Sequence, residues 1–160
     1  MQAARLPDLK KELKQLSDTQ LLDVCIRLTK YKKENKELLT YLLFESHNEE
    51  LYIGRLKEEI DDMLEDMAVR SIRDSRKGIR KILKFIDRWV KFSLKKPTEV
   101  EIRLHFCKQI QKKKFPIRQN FYWSYVYRAQ LNKIERIVPK LHEDLQFDYQ
   151  EMLDEIGAHL

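Results

Sequence analysis

Three glycines and four prolines are all that punctuate these 160 residues, and that scarcity constrains the fold more than any other feature. A β-sheet chain reverses direction about every 8–12 residues and places Gly, Pro or Asn at many of the turns, whereas a helical chain needs one break per helix. Between the breaks the apolar residues recur at intervals of three and four, the period of an amphipathic helix. Pro7 stands where a first helical turn accepts it, because the N–H it lacks has no acceptor there. Ser17 and Gln20 have capping-box spacing ahead of a stripe of Leu21, Leu22, Val24, Cys25 and Leu28. NKELLTYLLFE is apolar on most sides and reads as a centrally packed helix. Asn48 caps a helix whose apolar face is Tyr52, Leu56, Ile60, Met63 and Met67.

The next helix covers about 74–94, because Pro97 disfavours helical geometry just ahead of itself. Thr98 and Glu101 form a second capping box, opening a helix that stops near Pro116. From Ile117 a long helix bends or ends at Pro139 and leads into the C-terminal segment. The expectation is an all-α protein of seven or eight helices in stacked antiparallel pairs, a compact helical-repeat-like array forming a single domain over 1–160.

The net charge of +6 conceals a strong asymmetry. Residues 1–69 hold 11 Lys/Arg and 15 Asp/Glu, residues 70–140 hold 21 and 5, and residues 141–160 hold none and 6. Such a distribution calls for an anionic partner, an internal clamp or charge-matched self-association. No apolar run reaches the roughly 18 residues of a membrane span, and MQAARLPDLKK lacks a signal-peptide core. Cys25 and Cys107 follow no ligand spacing and read as reduced thiols in the core of a cytoplasmic protein with no membrane association.

KKELKQLSDTQLLDVCIRLTKYKKENKELLTYLLF followed by SIRDSRKGIRKILKF resembles a family of small bacterial all-helical proteins to which no activity is assigned. The resemblance covers roughly the first two thirds of the chain. It implies helical architecture and carries over no catalytic residue, and the C-terminal third departs from the pattern.

On a helical wheel, SRKGIRKILKFIDRWVKFSLKK places Ile79, Ile82, Leu83, Ile86, Trp89 and Val90 on one face. Arg73, Lys77, Arg80, Lys81, Lys84, Arg88, Lys91 and Lys95 fall opposite, in a stripe about 33 Å long at 1.5 Å per residue. Like charges three and four apart disfavour an isolated helix by a few tenths of a kcal/mol each. A solvated face with counter-ions, pairing with acidic segments of this chain or a second copy, and a phosphate backbone each satisfy such a stripe.

A second basic patch, Lys112, Lys113, Lys114 and Arg118, runs into FYWSYVY. Trp123, Tyr127, Leu131, Ile134, Val138 and Leu141 continue at helical spacing and read as core. Phe121, Tyr122 and Tyr125 lie on other sides of the same helix, and aromatics around most of a circumference favour burial on two faces. The sharper alternative is a stacking platform for bases beside the cations.

Nothing supports a reaction. His105 reads as a satisfied, partly buried histidine, and His142 has no HExxH partner. His47 lies in a turn, His159 near the end, and the isolated glycines make no phosphate-cradling loop. Glu58, Asp62 and Glu65 lack the Glu-x-x-His partners of helical di-metal sites. The expectation is a non-enzymatic binding or scaffolding module, with no cofactor or metal and no small-molecule substrate identified, that contacts an acidic protein surface or itself through the basic face. Binding of a nucleic-acid backbone by that face, with aromatic stacking, is the alternative.

Overall fold

The computed structural model describes residues 2–67 and 72–158; His159 lies outside them. The described residues form eight α-helices and no strand. In order these are α1 (Leu6–Leu13), α2 (Asp18–Tyr31), α3 (Lys33–Thr40), a π-helical turn (Tyr41–Glu45), α4 (Glu49–Glu65), α5 (Ile72–Ser93), α6 (Lys96–Lys112), α7 (Phe121–Ile137), a 3-10 turn (Val138–Lys140) and α8 (Glu143–Gly157). By their contacts the helices divide into two compact units, Met1–Phe44 and Glu45–Leu160.

In the first unit the local signals are obeyed. Pro7 lies in the first turn of α1, and Ser17 and Gln20 close a reciprocal capping box at α2. The Asn35 side chain donates to the Leu28 carbonyl at 2.7 Å, tying α3 to the end of α2. Burial departs from expectation. Leu22 and Leu28 of the α2 stripe are exposed, Cys25 is exposed rather than core, and Leu42, Leu43 and Phe44 are exposed rather than central. Three short helices enclose little volume, so apolar periodicity here marks amphipathic faces without supplying an interior. Tyr41 is the one buried residue of this unit among those described.

The second unit alternates up and down around α6. Tyr52 donates to the Trp89 carbonyl at 2.9 Å and Glu49 accepts from Ser93, so α4 and α5 are antiparallel. Arg103 meets Asp87 of α5 and Gln130 of α7, and α6 is antiparallel to both. Lys57 with Glu101 and Asp61 with His105 make α4 parallel to α6. Tyr149 on Glu101 and Lys108 on Glu155 do the same for α8. The sequence explains the central place of α6. Val100, Ile102, Leu104, Phe106, Cys107 and Ile110 bury most of its circumference, as befits a helix enclosed on several sides.

The capping box expected at Thr98 is absent. The N-cap lies three residues earlier, at Lys95, and the helix begins at Lys96 with Pro97 in its first turn. The Thr98 hydroxyl instead donates to Glu49, while Glu101 pairs with Lys57 at 2.8 Å. Proline's preference for a first turn prevails here, and tertiary partners claim both side chains. At the far end α6 closes with a Schellman motif. Phe115 N–H reaches the Ile110 carbonyl and Lys114 N–H the Gln111 carbonyl, with Lys114 left-handed at φ 55° where glycine is usual.

Candidate functional site

Along α5 the apolar face is sealed, with Ile79, Ile82, Ile86 and Val90 all buried. The opposite face carries Arg73, Lys77, Arg80, Lys81, Lys84 and Lys91 into solvent. Arg76, three residues from Arg73 and four from Arg80, belongs to the same row, although the sequence reading did not include it. Arg73, Arg76, Lys77, Arg80, Lys81 and Lys84 bound an open hollow of about 760 Å³, and none of the six is ion-paired among the described residues. Two members of the expected stripe differ. Arg88 is half-buried, and the Lys95 ammonium pairs with Glu49 at 2.9 Å. Both lie toward the end of α5 where α4 and α6 close in, and packing there claims cations that a helical wheel leaves in solvent.

The start of α7 lies against the start of α5. The Arg76 guanidinium sits 4.8 Å over the Tyr122 ring, and the Tyr122 hydroxyl donates to the Arg76 carbonyl at 3.4 Å. Trp123 and Tyr127 are core, as their spacing implies; Trp123 stacks 4.3 Å from Phe115, and Tyr127 donates to the Ile156 carbonyl at 2.8 Å. Burial pushes the Tyr127 phenol well above its ordinary range.

The expectation that the remaining aromatics are buried on two sides fails. Phe121 is 88% exposed and Tyr125 65% exposed, while Tyr122 is half-buried beneath Arg76. The buried face of α7 is Trp123, Val126, Tyr127, Gln130, Leu131 and Ile134, which leaves Phe121 and Tyr125 outward. Lys112, Lys113 and Lys114 are exposed at the end of α6, and Arg118 donates to the Ala158 carbonyl at 3.0 Å. The structure thus brings Tyr122 to one end of the basic row on α5, with Phe121 and Tyr125 exposed on the same first turns of α7. The sequence could not show that junction, because Tyr122 and Arg76 are 46 positions apart.

At the other end of α5 a buried ionic cluster is built on Arg103, whose side chain is 3% exposed. Its guanidinium donates to Glu99 at 2.8 Å, to Asp87 at 2.7 Å and to Gln130 at 2.7 Å, and Lys133 completes Asp87 at 2.9 Å. Burial alone would raise the Asp87 carboxyl, but hydrogen bonds from Lys133 and Arg103 outweigh it and hold the group below its ordinary value. Above the cluster opens a cleft of about 570 Å³ between the end of α5, the first turn of α6 and the end of α7.

The histidines stand apart from both features. His105 Nε2 lies 2.7 Å from Asp61 Oδ1, a partly buried, satisfied histidine; His142 Nδ1 accepts from the Asp144 N–H at the start of α8; His47 is exposed. Among the described residues no three His, Cys, Asp or Glu side chains are grouped to hold a metal, and no helix is long and apolar enough to cross a membrane. Burial pushes the Cys107 thiol up to about 12, against a smaller opposing pull from Arg103, so it is inert at neutral pH. Compared with known proteins, the chain matches no family model, no curated protein and no solved structure.

Proposed function

We propose that the chain is a non-enzymatic binding module for single-stranded nucleic acid, held along the basic row of α5 with bases stacked on the start of α7. The observation that carries this reading is the exposure of Phe121 and Tyr125 beside unpaired cations, joined to them through the Arg76–Tyr122 contact. An acidic protein surface would use the cations and leave two exposed aromatic rings unexplained. A single strand uses both, since phosphates meet the cations and every base has a face that stacks. Duplex DNA offers no unstacked base, so the aromatic component selects for single strands.

Fluorescence anisotropy with labelled single- and double-stranded oligonucleotides at three salt concentrations tests this. Six cations on phosphates give a log–log salt slope of about −4, at about −0.7 per phosphate for a single strand. Arg80→Glu with Lys84→Glu flattens that slope by about 1.4 and weakens both kinds of oligonucleotide. Phe121→Ala with Tyr125→Ala weakens the single strand by about 1–3 kcal/mol per stacked base and leaves the duplex unchanged. Absence of binding even at low salt would sink the proposal and leave an acidic protein, or a second copy of this chain, as the partner of the basic face.

A further inference from the structure

The cleft above Arg103 lies at the end of α5 remote from the aromatic patch, and its chemistry differs from that of the open row. Its two carboxylates, Asp87 and Glu99, are committed to Arg103 and Lys133. Lys95 is committed to Glu49. Three cations remain, Lys91, Lys96 and Arg136, one from each of the helices that border the cleft, all exposed and none ion-paired among the described residues. Three uncommitted positive charges lining one cleft from three elements suit an anion, and a guanidinium among them can grip two oxygens at once. Val90, Leu94 and Ile137 add apolar wall, and about 570 Å³ lies within the range of small-molecule sites. The pocket therefore has room for more than a bare anion.

Its position narrows the anion further. Tyr122 reaches Arg76 and Lys133 reaches Asp87, so α5 and α7 run in the same direction, and a strand laid along α5 from the aromatic end is directed toward the cleft. The cleft marks the end of α5, because Leu94, Lys95 and Lys96, where the chain turns into α6, themselves line it. A strand following α5 from the aromatic end runs out there. An internal phosphate carries one charge, whereas a terminal phosphate carries about −1.5 to −2 at neutral pH. The more highly charged group suits the place where three free cations line one cleft.

We infer that this cleft binds a terminal phosphate monoester, carried by the end of a nucleic-acid strand or by a free nucleotide. The strand-end form rests on the binding proposed along α5; the free-nucleotide form does not.

The test compares one short single-stranded oligonucleotide without a terminal phosphate, with a 5′-phosphate and with a 3′-phosphate, on the whole chain and on Lys96→Gln with Arg136→Gln. Adenosine 5′-monophosphate is titrated separately by calorimetry. For strand-end recognition, one phosphorylated oligonucleotide binds about tenfold tighter than the unphosphorylated one, and the ratio falls to about one in the double variant. For a free nucleotide, the monophosphate binds saturably at one site, the variant loses it, and the oligonucleotides do not differ. Oligonucleotides that bind equally, with no monophosphate binding, would overturn the inference while leaving the α5 reading intact. Oligonucleotides that fail to bind at all would remove the α5 reading and the strand-end form, and the monophosphate titration then decides this site alone.

Discussion

Asp87 shows how a single residue couples stability to pH. Its carboxyl is held below its ordinary value in the fold, so its contribution to stability is present above the unfolded pKa and disappears as pH falls through the folded one. Glu49 behaves alike: burial raises it, but hydrogen bonds from Ser93, Thr98 and Lys95 outweigh that and lower it overall. Asp87→Asn is expected to cost about 1–2 kcal/mol at neutral pH, less than the loss of a fully buried pair because Asp87 is 44% exposed. The gap from the parent chain closes in acid, as the parent loses the same charge by protonation; urea unfolding midpoints between neutral and acid pH check this. None of this partnership was legible in the sequence. Asp87 stood alone in a basic stretch, and the residues that hold it ionised come from two other helices. The outward cations were legible, because Arg73 through Lys84 needed only the period of one helix, and Arg76 had the same signal.

At the scale of the element, the starts of α2 and α4 were legible, whereas α6 begins ahead of the expected Thr98 cap and α7 begins at Phe121 rather than Ile117. Ser17 and Asn48 cap as their spacing implies, since an N-cap is made by local side chains. The Schellman end of α6 is announced in most sequences by glycine, and here the left-handed position is Lys114. Lys114→Gly relieves a conformation that costs an L-residue about 1 kcal/mol and is expected to raise the thermal midpoint of the second unit correspondingly. An unchanged or lowered midpoint would show that the lysine makes a compensating contact. The start of α7 taught the opposite lesson. Aromatic density implied burial, but Phe121 and Tyr125 face outward while Trp123 and Tyr127 are buried, and a period cannot reveal which sides of a helix its neighbours cover.

For the whole molecule, the contacts gather the helices into two compact units, Met1–Phe44 and Glu45–Leu160. The all-α class was legible throughout, because it rests on the scarcity of turn residues and on period. The division was not, since it depends on how densely side chains meet. Among the described residues of α1, α2 and α3 none is buried, and isolated helices of 8–14 residues are marginal in water. Residues 45–160 expressed alone are therefore expected to unfold cooperatively with nearly the stability of the whole chain, whereas 1–44 alone loses most of its helicity. Circular dichroism of the two fragments decides this, and a fragment 45–160 without a cooperative transition would refute it.

The alternation around α6 also governs how quickly order arises. Each helix of the second unit packs on its neighbour in sequence or on the next but one, so loop closures are short and no distant segment must be found late. Topologies of this kind refold in microseconds to milliseconds, orders of magnitude faster than sandwiches of equal size. The second unit is thus able to order itself hairpin by hairpin as it leaves the ribosome, with α6 acquiring α4, α5 and α7 as partners before α8 is complete.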